Sequence, residues 1–204
     1  MTTEKYDPQA ERWTETAYAD AARYLRHRAD LVLSLGPHLV AGHTVLDLAC
    51  GDGGFGDVLR ARGLRYVGVD ASAPMVEAAR RRLGGEIHLA DLNDFRPDAR
   101  VTATTVFRAI YYARDRLAFF RNVADYTERK LVFDLNPRQY RLDDIRADLR
   151  AAGFERLDLR PFLVPQRVAL PGPAATALEA LEPTLLARVA LRFRFTYVCA
   201  ASRG

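Results

Sequence analysis

Three carboxylates, Asp47, Asp70 and Asp91, sit at the ends of three short β-rich runs, and a glycine-rich turn follows the first. The runs are Val45-Leu46-Asp47-Leu48, Leu64-Arg65-Tyr66-Val67-Gly68-Val69-Asp70 and Glu86-Ile87-His88-Leu89-Ala90-Asp91. In open α/β sheets ligands bind outside the carboxyl ends of the strands, so acids placed there would face one ligand. A carboxylate attracts a cation and repels a phosphate. One at the end of the second strand can accept both hydroxyls of a ribose. The turn itself, Gly51-Asp52-Gly53-Gly54-Phe55-Gly56, lets backbone approach a ligand where a Cβ would clash. The helix that follows it presents unpaired N–H groups.

Gly51, Gly53 and Gly56 spell G-x-G-x-x-G, the dinucleotide fingerprint. A dinucleotide site must admit a pyrophosphate at this turn, and Asp47, four positions ahead of Gly51, opposes one. Asp-x-x-x-Gly-x-Gly resembles instead the first motif of the class I S-adenosylmethionine (SAM) methyltransferases. Their cofactor carries an ammonium and a sulfonium and no phosphate. The resemblance runs from about Val40 to Arg203 and implies a set of roles. Asp47, Ala49, Gly51 and Gly53 would border the charged methionine end, and Asp70 would hold the ribose. Ala71, Met75, Asp91 and Leu92 would hold the adenine, with Phe107 beside the cofactor. The segment Arg108-Ala109-Ile110-Tyr111-Tyr112 would border the acceptor, with Tyr111, Tyr112 and Arg108 positioning it. Many members carry a Leu-His-His-like stretch there; its replacement by Ile110-Tyr111-Tyr112 leaves no histidine base.

These residues need elements to hold them. Asp7-Pro8 reads as a helix start, opening a helical stretch to about Leu35, broken near Thr14 to Thr16 and stopped by Gly36-Pro37. Tyr6 and Trp13 fit either a lid folded over the cofactor or core packing. Strands follow at Val45, Leu64 and Glu86, at Val101–Phe107 and Leu131–Leu135, and from Glu155 to Val164. Ser72-Ala73-Pro74 starts one helix, and Asp115 to Tyr126 forms another, with Leu117, Phe120 and Ala124 on one face. Pro165 to Leu186 is a proline-rich connection around a short helix at Ala174–Leu181. Leu191, Phe193, Phe195, Tyr197 and Cys199 alternate with Arg192, Arg194, Thr196 and Val198, a half-exposed strand with arginine on its wet side. The expected fold is a three-layer α/β/α Rossmann-like sandwich. Its seven-stranded sheet is mostly parallel with an antiparallel last strand. We expect one domain over 1–204, with 1–40 a helical lid and 165–188 an insertion.

Composition excludes little but points the same way. The 204 residues carry a net charge of +4, with arginines interleaved among acids rather than forming a stripe for nucleic acid. Arg80-Arg81-Arg82 reads as a solvated helix face. Cys50 and Cys199, and four scattered histidines, show neither disulfide nor metal-ligand spacing. No apolar run approaches the roughly 20 residues of a membrane span. The expectation is therefore a cytoplasmic enzyme, monomer or homodimer, with no metal, nucleic-acid or membrane partner. It would move the SAM methyl to an O, N or C nucleophile of a small molecule, leaving S-adenosylhomocysteine. Alternatives are a methyltransferase for RNA or protein, an NAD(P)-dependent reductase, and a non-catalytic SAM-binding protein.

Overall fold

The computed structural model describes Ala10 and residues 12–190 and 196–203. Seven strands form one sheet: β1 (Thr44–Leu48), β2 (Arg65–Asp70), β3 (Ile87–Leu89), β4 (Val101–Val106), β5 (Thr127–Leu135), β6 (Arg156–Phe162) and β7 (Thr196–Ser202). Their order is β3-β2-β1-β4-β5-β7-β6. Only β7 runs against the rest, pairing antiparallel with β5 and β6. The chain reverses direction across the sheet between β1 and β4, and ligands of open α/β sheets bind at such a switch point.

Period-two alternation divides the sheet residues between two cores. Val45, Ala103, Val132, Val198 and Ala200 face one side, under α2 (Ala21–Ser34), α3 (Gly54–Arg60) and α4 (Ala73–Leu83). Leu46, Leu48, Val106, Leu131, Phe133 and Cys199 face the other, under α5 (Arg116–Tyr126) and α6 (Leu142–Ala151). The result is the expected three layers. Asp20, Ser72 and Asp115 each accept a backbone N–H in the first turn of α2, α4 and α5, which satisfies one orphan donor per helix.

The structure corrects several boundaries. The N-terminal helices are α1 (Trp13–Ala17) and α2, and the break falls at Tyr18–Asp20 because Asp20 caps the second. The Asp7-Pro8 start and Tyr6 lie outside the described residues, as do residues 191–195 of the alternating run. What is described of β7 is not half-exposed: it lies between β5 and β6, and Val198 to Ser202 are buried. On α5 the buried residues are Phe119, Phe120, Val123, Ala124 and Tyr126, so the apolar face is centred away from Leu117. The connection after β6 holds two helices, α7 (Gly172–Leu181) and α8 (Leu185–Ala190). Arg23 of α2 grips Glu179 of α7 through two bonds of 2.7 and 3.0 Å. His27 meets Glu182 at 2.7 Å, and Glu182 also accepts the Leu163 N–H at 2.8 Å. The insertion is thereby tied to the N-terminal helices.

Arg80-Arg81-Arg82 is not simply a solvated face. Arg80 donates to the Ile87 carbonyl at 3.1 and 2.7 Å, and Arg82 donates to the Asp52 carboxylate at 3.1 Å. Arginines at a helix C-terminus can reach past the last turn to satisfy neighbouring acceptors. No described helix is long and apolar enough to cross a membrane.

Lys130 on β5 is fully buried and donates to the Leu35 carbonyl at 2.6 Å, just past α2. Burial pulls its pKa down to about 8. The unfolded chain therefore binds the proton more tightly, and the cost of the buried charge is present below pH 8 and relieved as pH rises towards the unfolded value. The stability of the wild type relative to Lys130→Met should rise between about pH 7.5 and pH 9.5 in urea unfolding; a constant difference would contradict this.

Candidate active site

Strand register places the first acid. Asp47 on β1 lies opposite Thr105 of β4 on one side and Gly68 of β2 on the other. Directly opposite residues share a face, so the Thr105 hydroxyl reaches Asp47 and donates at 2.6 Å. Gly68 offers no side chain. Tyr66, two residues earlier on β2 and on the same face, fills that space and donates its hydroxyl to Asp47 at 2.8 Å. Asp47 is only 3% exposed. Burial pushes its pKa up to about 6, against the Thr105 and Tyr66 hydrogen bonds and the charge of Arg28, which pull it down.

The glycine turn has divided duties. Gly51 has φ +58°, lines the cleft and packs beneath Trp13, whose Cδ1 would lie 3.1 Å from any added Cβ. Gly53 stands behind the residues that line the cleft. Its φ of +77° caps α3, and a Cβ there would meet Leu83 at 2.9 Å and Ala79 at 3.2 Å. Gly56 is also a packing glycine: a Cβ would stand 2.5 Å from the Tyr66 ring. The fingerprint thus lets α3 press onto α4 and onto the tyrosine that holds Asp47.

Asp70 ends β2 and staples the turn, accepting the Gly51 N–H at 2.8 Å and the Ser72 N–H at 2.9 Å. Asp91 lies two residues beyond β3. It accepts from Asn93 N and Nδ2 at 2.8 and 2.7 Å and from Arg114 at 3.0 Å. Its modest burial would raise its pKa, but the Asn93 and Arg114 donors outweigh that and hold it below the usual carboxylate range.

All three acids line one cleft of about 460 Å³, within the usual range for small-ligand sites. Ala49, Gly51, Ala71, Met75, Leu92, Phe107 and Trp13 line it too, as do Arg108, Tyr111 and Tyr112. The tyrosine rings lie 4.4 Å apart, Tyr111 exposed and Tyr112 half-buried. Trp13, Thr14 and Tyr18 bring the N-terminal segment to the cleft wall. It is held by Asp52, which accepts the Thr14 N–H at 3.0 Å and also the Thr14 hydroxyl.

Several residues at the site were not singled out in the sequence. Tyr66, Thr105 and Asp52 carry no motif, but the two-residue strand period would have put Tyr66 and Thr105 on the face of Asp47. Arg28 is buried on α2, with its guanidinium 4.3 Å from the Phe107 ring centre and 4.8 Å from that of Tyr24. No sequence signal marks it. Among the described residues no cluster of three or more His, Cys, Asp or Glu side chains could hold a metal.

A methyltransferase-domain family matches residues 45–130, the span from the first acid through β5's entry. The fold is that of the class I SAM-dependent methyltransferases. Similar solved structures include a TehB-like SAM-dependent methyltransferase from Corynebacterium glutamicum, 15% identical over all of both chains with a TM-score of 0.70. A methyltransferase of Haloferax volcanii, solved in complex with the activator Trm112, is 20% identical over all of both chains, with a TM-score of 0.68. Magnesium protoporphyrin IX methyltransferase from Synechocystis, solved with bound SAM, is 16% identical over 100% of this chain and 92% of its own, with a TM-score of 0.63. No curated protein matches the sequence. The matched span contains Asp47, Asp70 and Asp91 and the post-β4 segment, while α1, α2, α7 and α8 lie outside it.

Two substitutions test how Asp47 is held. Gly56→Ala should cost about 1–3 kcal/mol by overpacking, seen as a lower urea midpoint. Tyr66→Phe removes a hydrogen bond to a charged acceptor, so it should destabilise more at pH 7.5 than at pH 5, where Asp47 is protonated. An equal loss at both pH values would contradict the assignment.

Proposed function

We propose that the domain transfers the SAM methyl group to an O, N or C nucleophile of a small molecule. The observation that carries this reading is the convergence of Asp47, Asp70 and Asp91 on one cleft at the switch point of the sheet. This set of acceptors fits a positively charged nucleoside. A ribose needs an acceptor at the end of β2, an adenine amine needs one beyond β3, and an ammonium needs a carboxylate near the glycine turn. The same set would repel the pyrophosphate of a nicotinamide dinucleotide.

In this reading Asp47, screened from water, gives a fixed negative potential to the methionine end. Gly51 and Ala49 let the backbone pass beside it. Asp70 holds the ribose while its bonds to Gly51 and Ser72 fix the loop. Asp91 and the Leu92 N–H take the adenine, between Ala71 and Met75. When bound, SAM would supply an activated sulfonium methyl, whose carbon bonds to the acceptor nucleophile in line as its bond to sulfur breaks and S-adenosylhomocysteine leaves. Tyr111, Tyr112 and Arg108 orient the acceptor, and Trp13 with Tyr18 shields the site from water. Orientation of this kind can supply on the order of 7–11 kcal/mol in favourable cases, so a strong base is not required of any residue here. The whole chain then works as one domain, with the N-terminal segment to residue 40 as lid and 165–188 as a wall beside it.

Calorimetry should show binding of SAM and S-adenosylhomocysteine and none of NADH. Asp70→Asn should weaken S-adenosylhomocysteine by about tenfold or more, the loss of at least one hydrogen bond to a charged group. Binding of NADH in preference to S-adenosylhomocysteine, or unchanged affinity in Asp70→Asn, would reject the reading.

A further inference from the structure

A second pocket of about 470 Å³ opens beside the cleft and shares Trp13, Tyr18 and Arg108 with it. Its other walls include Glu15, Gln166 and Arg167, from the N-terminal segment and the start of the insertion. We infer that this second pocket is the acceptor subsite and that Arg108, with Arg167, selects acceptors bearing an oxyanion such as a carboxylate. This rests on the cofactor reading of the neighbouring cleft.

Arg108 is placed at some cost and keeps one guanidinium nitrogen without a hydrogen bond. Its backbone has φ +55°, a left-handed conformation unusual outside glycine and disfavoured by about 1–2 kcal/mol. The Asp134 carboxylate holds it there by accepting the Arg108 N–H at 2.7 Å. The guanidinium lies 5.5 Å from the Trp13 ring centre and 5.9 Å from that of Tyr18. Nη1 is sealed from solvent and has no hydrogen-bond partner. Among the described residues the Arg108 side chain forms no ion pair, and neither does that of Arg167. Strained residues and unsatisfied buried donors concentrate where a structure is built to bind.

The charges around the pocket do not cancel. Asp134 faces both Arg28 and Arg108, and Asp47 faces Arg28. Glu15, at the rim, is taken by Arg12 at 3.0 Å. Gln166 spends its amide on the Ala17 carbonyl at 2.9 Å. Of the charged residues lining the second pocket, Arg108 and Arg167 thus stand against the single carboxylate of Glu15. A planar guanidinium presents a fork that matches an oxyanion, and the Trp13 and Tyr18 rings beside it suit a flat body.

Trp13 is the single tryptophan of the chain, so its fluorescence reports on this pocket directly. Protein saturated with S-adenosylhomocysteine would be titrated with benzoate, phenyl phosphate and neutral benzamide. At least one anion should give a saturable change, about tenfold or more tighter than benzamide. Preference for benzoate identifies a carboxylate acceptor; preference for phenyl phosphate identifies a phosphate one. Arg108→Gln should weaken the anion by about tenfold with S-adenosylhomocysteine affinity nearly unchanged, and Arg108→Lys should restore part of it. Arg167→Gln, on the exposed wall, should weaken the anion without perturbing the fold. Equal response to benzamide, no saturable anion signal, or loss of S-adenosylhomocysteine affinity equal to the anion loss in Arg108→Gln would overturn the inference. Failure of S-adenosylhomocysteine to bind the unaltered protein would instead reject the cofactor reading itself.

Discussion

A carboxylate almost without solvent contact is the constraint on which this structure turns. Asp47 would be neutral in an apolar core, because desolvation disfavours its charge. The Tyr66 and Thr105 hydroxyls and the Arg28 charge oppose that, leaving it balanced near neutrality with a pKa of about 6. Each support comes from a different element, and each depends on packing elsewhere. Thr105 depends on the β1–β4 register, Tyr66 on the missing side chains of Gly68 and Gly56, and Arg28 on α2 lying against the same face of the sheet. Shifting β1 by one residue would turn Asp47 to the opposite core.

Strain is stored beside this charge and not at random. The two non-glycine residues with positive φ among those described, Ala49 and Arg108, both line the cleft. They follow β1 and β4, the strands that flank the switch point. The Gly51 N–H bond to Asp70 fixes the turn just past Ala49, and the Asp134 bond fixes Arg108. Conformations this costly persist only where neighbours over-determine them. The N-terminal segment adds polar ties to its packing, through Asp52 at one end and through Glu179 and Glu182 of the α7 region at the other.

Much of this was legible in the sequence, and the reasons it was legible are local. Alternating and continuous apolar runs fix strand identity, turn glycines fix their ends, and strands with acids at their ends mark a ligand edge. One neighbour, Asp47, weighs G-x-G-x-x-G away from a pyrophosphate site. What the sequence did not show depends on distant packing. That Gly53 serves α4 and not the cleft follows from Ala79 and Leu83, some 30 residues away. Arg28, Asp52 and Asp134 act through contacts that no spacing encodes. The burial of β7 on both faces required knowing that β6, earlier in the chain, pairs outside it.

The central claim is that a half-titrated buried carboxylate meets a cationic nucleoside. It is tested most directly by the protons exchanged when SAM binds at pH 6, measured by calorimetry in buffers of different ionisation enthalpy. A cation beside Asp47 favours its charged form, so binding should release a proton fraction of about one half, and Asp47→Asn should abolish that release. Proton uptake, or no exchange in the unaltered protein, would contradict the account.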